Sequence, residues 1–175
     1  DNAYVDVSAA EVPIMDGSAA PFVEMISAAG CEAQSAARRF IRVLKPVQVT
    51  DGDKWAALDV AEAAETTFTM TIDFPSPAIG RQTRTFALQP GGFSHDLARA
   101  RTFGFLHEVE HLQKLGLAKG GSLENAVVVD GARILNPEGL RYTDEFVRHK
   151  LLDSVGDLAL AGAPIRGSYH RSEER

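Results

Sequence analysis

The chain has 175 residues, 45% of them hydrophobic and 24% charged, the composition of a soluble globular protein of one ordinary domain or two small ones sharing a core. Its formal net charge of -6 argues against a nucleic-acid binder. A single cysteine, Cys31, rules out an internal disulfide, and no apolar run approaches the roughly 20 residues that span a bilayer. No charged leader with an apolar stretch opens the chain. It enters at Asp1 directly into strand-like sequence, as an internal segment of a longer protein would.

In chain order, residues 3–7 (Ala-Tyr-Val-Asp-Val) read as a short buried strand. A turn-rich stretch follows, and Ser18 can cap a helix in which Phe22, Met25, Ile26 and Ala29 recur at helical spacing until Gly30. A second short helix is expected over 33–39, then strands over 41–49 and 54–60 around an Asp51-Gly52 turn. Phe68, Met70, Ile72 and Phe74 alternate with Thr69, Thr71 and Asp73, the period of a strand with one buried face. Residues 84–88 read as another strand. Helical patterning covers 94–99 and 106–115, and Val127-Val128-Val129 reads as a buried strand turned by Asp130-Gly131. The last long helix starts near Thr143 and runs to about Leu160. An acid-Asn-Ala-x-Val string at residues 1–5 returns at 124–128, each followed by a glycine and a helix with Phe-Val. If this echo is a duplication, the boundary between repeats falls near residue 40.

On the last helix His149, Asp153 and Asp157 are spaced four apart, so an imidazole and a carboxylate share one face. Zinc takes such a nitrogen and oxygen at about 2.0–2.2 Å. The same spacing also serves a His–Asp surface pair with one extra carboxylate. Val147, Leu151, Val155 and Leu158 make the opposite stripe apolar, while Phe146 and Leu160 flank the polar face. That arrangement suggests a helix between two layers. The string His107-Glu108-Val109-Glu110-His111 is a literal H-E-x-x-H, a zincin pattern. It fixes only three positions, and a helix carrying two unrelated histidines explains it better than a zinc protease does. Thr102, within Arg101-Thr102-Phe103-Gly104-Phe105, offers a hydroxyl that could stabilise an oxyanion or merely enter a helix. Lys150 could reach an anionic substrate.

Several strings occur in one order: Ile14-Met15-Asp16-Gly17-Ser18-Ala19-Ala20-Pro21-Phe22, Arg99-Ala100-Arg101-Thr102-Phe103-Gly104-Phe105, Gly120-Gly121-Ser122, residues 144–153 and Gly156-Asp157-Leu158. Together the series resembles the zinc-dependent UDP-3-O-acyl-N-acetylglucosamine deacetylases of lipid A synthesis, from residue 1 to about 169. The resemblance implies an α+β fold of two similar domains, each packing a sheet against helices that meet in a central layer. Residues 1–40 would end the first domain and 41–175 form most of the second. It also implies hydrolysis of the acetamide of UDP-3-O-acyl-N-acetylglucosamine with release of acetate, in a cytoplasmic monomer without a membrane span. His149 and Asp153 fall on two of three Zn2+ ligands, Asp157 on a carboxylate that orients a catalytic histidine, and Thr102 on the oxyanion-stabilising hydroxyl. Phe103 and Lys150 fall on the sugar-nucleotide side, and Val109, Ala118, Ser122, Ala126 and Val128 on a passage for the acyl chain. The family's first zinc histidine and general base lie upstream of residue 1. Its Ser-Gly-His general acid lies in a motif that the ending Ser168-Tyr169-His170-Arg171-Ser172-Glu173-Glu174-Arg175 does not match. A fragment lacking these groups is expected to bind metal weakly and turn over little. The alternative is an inactive remnant that holds an acyl chain or a partner.

Overall fold

The computed structural model of the chain describes residues 2–61, 65–109 and 121–174. The observed class is α+β. Helix α1 (Ala20–Ala29) is followed by strands β1 (Ile41–Arg42), β2 (Val47–Asp51), β3 (Lys54–Asp59), β4 (Thr67–Phe74) and β5 (Gly80–Ala87). A π-type turn (Phe93–Leu97), β6 (Phe103–Phe105), β7 (Val127–Asp130) and β8 (Arg133–Ile134) lead to helix α2 (Glu145–Ala159), β9 (Ile165–Arg166) and β10 (Ser168–Glu174).

The main sheet has the order β2-β3-β10-β4-β5. Its period-two strand behaves as the alternation requires: Phe68, Met70, Ile72 and Phe74 of β4 are buried, and the threonines between them face outward. There Thr69 and Thr71 form hydroxyl pairs with Thr85 and Thr83 across β5, at 3.0 and 2.9 Å. β10 lies between β3 and β4, antiparallel to the first and parallel to the second, and Tyr169 meets Phe68 edge-on at 5.9 Å. Helix α2 covers the apolar face with Phe146, Val147 and Leu151, all essentially inaccessible. Burying each such side chain stabilises the fold by about 1.5–3 kcal/mol. A smaller sheet, β6-β7-β8, adds Val127 and Val129 to the same core.

The structure corrects several local expectations. Residues 3–7 form no strand, and Tyr4 and Val5 are exposed, because none of the described strands offers them a partner. Residues 33–39 are not helical, and strand 41–49 divides at Pro46, whose ring has no N–H to give a ladder. Residues 94–99 supply only the π-type turn. β5 begins at Gly80, four residues before the expected start. β10 was not expected at all. Helix α1 starts after Ser18, whose Oγ accepts from Ala20 N at 3.3 Å, and stops at Gly30 with φ +84°. None of its residues is buried, and Met25 and Ile26 stand about half exposed. Residues 106–109 are helical; the rest of the expected 106–115 helix, with His111, lies outside the described residues, as does Ala118.

Candidate active site

A buried ion pair organises the site. Glu145, in the first turn of α2, is fully inaccessible, and Arg101 is 2% exposed. Oε1 of Glu145 accepts from both the backbone N and the Nε of Arg101, at 3.0 and 2.9 Å. Arg101 further donates to Glu138 Oε1 at 2.6 Å and to the Gly139 carbonyl at 2.7 Å. Burial alone would lower the guanidinium pKa, but the carboxylates of Glu145 and Glu138 outweigh it and raise it.

The turn-rich segment before α1 joins the same knot. Asp16 Oδ1 accepts from the backbone N and Oγ of Ser18, and its Oδ2 lies 2.8 Å from Arg141 Nη2. Burial opposes ionisation of Asp16, yet these partners hold its pKa below the ordinary range. Arg141 donates its backbone N to Glu145 Oε2 at 2.6 Å and its guanidinium to the Arg99 carbonyl at 3.0 Å. Gly17, at φ +80°, sits so close to the chain that a Cβ there would lie 2.0 Å from the Asn125 carbonyl oxygen. Its own carbonyl accepts from Thr102 N at 2.8 Å, and Thr102's carbonyl accepts from Val127 N at 2.8 Å. Thr102 is therefore fixed from both sides.

Opposite Thr102, one turn after Glu145, stands His149. Its Nδ1 lies 3.0 Å from the Ala100 carbonyl oxygen, which can only accept, so Nδ1 carries the proton. In the neutral ring Nε2 then keeps its lone pair, and it lies 3.4 Å from Asp153 Oδ1. That is longer than the 2.7–3.2 Å of an N–H···O bond. It suits two ligands of one tetrahedral zinc ion, whose bonds of about 2.0–2.2 Å separate neighbouring ligand atoms by about 3.3–3.5 Å. Among the described residues no group of three or more such side chains converges.

Thr102, Phe103, His149, Lys150 and Asp153 line one small cavity of about 90 Å³, together with Phe74, Gly104, Phe105 and Glu108. Phe103 packs edge-on against Phe146 at 4.9 Å and against the His149 ring at 6.5 Å, and so supports the imidazole. Lys150 Nζ lies 3.3 Å from Glu173 and 3.7 Å from Asp153. Asp157, two turns beyond His149, is instead exposed and paired with Arg171 of β10 at 3.3 Å. It borders a separate depression with Asp153 and Lys150. Burial would lower the pKa of Arg171, but Glu173, Tyr169 and Asp157 raise it.

The remaining positions are spread out. Val109 packs near Gly104, Val128 is buried, Ala126 is half-buried, and Ser122 lies exposed in a turn where its Oγ accepts from Glu124 N. His107 is exposed and stacks at a tilt on Phe105, 5.7 Å between ring centres. His170 lies on the far face of the main sheet, beside Trp55 and Gln48. Sequence reasoning missed Arg101 and Glu145 as a unit. The signal was present: Glu145 extends the four-residue spacing of His149, Asp153 and Asp157 one turn upstream.

A profile of the family described as UDP-3-O-acyl N-acetylglycosamine deacetylase matches residues 1–173. Over 169 residues, 97% of the chain, it is 58% identical to the UDP-3-O-acyl-N-acetylglucosamine deacetylase of Phenylobacterium zucineum (strain HLK1), covering 57% of that protein. The protein of the same name from Acidithiobacillus ferrooxidans (strain ATCC 53993 / BNL-5-31) is 54% identical over the same share, covering 56% of its length. The chain thus spans somewhat more than half the length of these relatives. With the profile matched along nearly its whole length, the chain belongs to the UDP-3-O-acyl N-acetylglycosamine deacetylase family.

Proposed function

We propose that this chain supplies half of the active site of a zinc-dependent deacetylase that removes the N-acetyl group of UDP-3-O-acyl-N-acetylglucosamine. The observation carrying the reading is the pairing of His149 Nε2 and Asp153 Oδ1 at 3.4 Å on one wall of a cavity that Thr102 also lines. Lipid A synthesis in the cytoplasm is the setting that goes with this reading. Residues 1–40 then end a first domain, and residues 41–175 form most of a second.

His149 and Asp153 would hold the metal, and zinc, when bound, supplies Lewis acidity toward the acetamide carbonyl and a nucleophilic water at neutral pH. The chain's own residues do the rest. The Ala100 carbonyl holds the proton of His149 on Nδ1, which keeps Nε2 available as a ligand. Thr102, anchored through its backbone by Gly17 and Val127, would donate its hydroxyl to the carbonyl oxygen as negative charge develops there. Phe103 and Phe74 make one side of the cavity apolar, which strengthens such a bond. Lys150, at the cavity rim, would meet the anionic sugar-nucleotide side after releasing Glu173 and Asp153. Asp157 would orient a catalytic histidine that joins from elsewhere in the enzyme. Val109, Ala118, Ser122, Ala126 and Val128 would border the acyl passage.

The test is titration of the 15N-labelled chain with UDP-3-O-acyl-N-acetylglucosamine in the presence of Zn2+, with acetate release measured in parallel. The reading expects saturable shifts at Thr102, Phe103 and Lys150, with those of Thr102 and Phe103 lost in Lys150→Ala. Absence of any shift at these three residues at substrate saturation would overturn it.

A further inference from the structure

We propose that the buried Arg101–Glu145 pair is a positioning device that sets His149 and Thr102 against each other; the proposal rests on the reading of the site just given. Glu145 occupies the same stripe of α2 as His149 and Asp153, one turn earlier. Its Oε1 does not simply neutralise a guanidinium. It also accepts the backbone N–H of Arg101, the peptide that joins Ala100 to the segment carrying Thr102. Ala100 is the residue whose carbonyl receives the His149 Nδ1 proton, and Thr102 is a residue that lines the cavity. One carboxylate therefore fixes the backbone between the histidine's proton acceptor and the threonine, and ties it to the helix that carries the histidine.

The other oxygen closes the arrangement. Glu145 Oε2 accepts from Arg141 N, and the Arg141 side chain holds the Arg99 carbonyl and Asp16. The Asp16 turn contains two residues in the left-handed region, Met15 at φ +54° and Gly17 at φ +80°, and Gly17 in turn anchors Thr102 N. A buried pair that served packing alone could give way to apolar side chains of similar size. An apolar side chain at 145 would leave the Arg101 and Arg141 N–H groups without their acceptor, and the Ala100 carbonyl free to turn from His149.

Glu145→Gln keeps the shape but replaces one acceptor oxygen with a donor, so it cannot serve both backbone N–H groups. The expected result is loss of the single Nδ1–H form of His149, seen in long-range 1H–15N spectra of the histidine-labelled chain at alkaline pH without metal. Zn2+ affinity at His149 is expected to fall about tenfold. Arg101→Lys keeps the charge, loses the fork, and is expected to change both readouts in the same direction; it decides the matter if Glu145→Gln does not fold. Glu138→Gln removes only the charge of the exposed partner of Arg101, and Phe68→Ala destabilises the core at the end of β4 away from Phe74 and the cavity; both are expected to leave the His149 form unchanged. A folded Glu145→Gln with the wild-type His149 form overturns the proposal, whatever zinc does. A changed form in a chain whose His149 never responds to Zn2+ supports the positioning role and removes the metal reading instead.

Discussion

Replacing Arg101 by methionine should destabilise the chain far more than removing any exposed ion pair. Arg101 is 2% exposed, and its guanidinium donates to Glu145, Glu138 and the Gly139 carbonyl. Methionine fills similar space but strands the Glu145 carboxylate, which keeps only the backbone N–H groups of Arg101 and Arg141. Removing one partner of a buried pair costs about 3–5 kcal/mol. Arg133→Met, which breaks the exposed Arg133–Asp130 pair, should cost no more than about 1 kcal/mol. At about 2–4 °C per kcal/mol for a protein of this size, Arg101→Met lowers Tm by roughly 6–20 °C. Arg101→Met/Glu145→Met should recover part of the loss, because no charge is then left buried without a partner. Thermal and urea unfolding of the wild type, Arg101→Met, Glu145→Met, Arg133→Met and the double variant measure this. Arg101→Met within 1 kcal/mol of wild type (about one exposed pair), or a double variant less stable than both singles together, would refute the reasoning.

Gly17→Ala should cost about 2–4 kcal/mol, from a left-handed φ and from a Cβ driven into the Asn125 carbonyl; urea unfolding would show it, and loss of the amide-exchange protection of Thr102 would locate it. Acid sensitivity follows from Asp144. Burial opposes its ionisation, but Arg148 and Arg84 hold its pKa below the ordinary value. The unfolded chain then takes up the proton first, at about pH 4, so the stabilisation is complete above that pH and is lost as pH falls through the lower folded value. Asp144→Asn should accordingly be less stable near neutrality and show a flatter fall in stability below about pH 4. A parallel pH profile for the two proteins would contradict that linkage.

How much of this was legible in the sequence depended on whether a local pattern or a distant partner decided the outcome. β4 was plain because four apolar residues alternate with polar ones and face a single core. α2 was plain because its stripe repeats over four turns. β10 was not, since Ser-Tyr-His-Arg-Ser-Glu-Glu contains one large apolar residue; β3 and β4 recruit it through backbone hydrogen bonds, and Arg171 and Glu173 find charged partners along α2. Residues 3–7 erred the other way, with strand-like side chains but no described neighbour to pair with. At the site, the convergence of Thr102, Phe103, Lys150, His149 and Asp153 follows the ordered motifs. The role of Glu145 was hidden because an acid in the first turn of a helix is usually there for the helix dipole. Here it is fully buried, and its partner lies 44 residues away.

The central claim is that His149 and Asp153 are ligands of one metal ion. The direct measurement is Zn2+ titration of the histidine-labelled chain beside His149→Ala, Asp153→Ala and His107→Ala, following each imidazole. The account predicts a saturable response at His149 Nε2, weakened at least about tenfold by Asp153→Ala and untouched by His107→Ala. A response confined to His107 or His170, or equal zinc affinity in all four proteins, would contradict it.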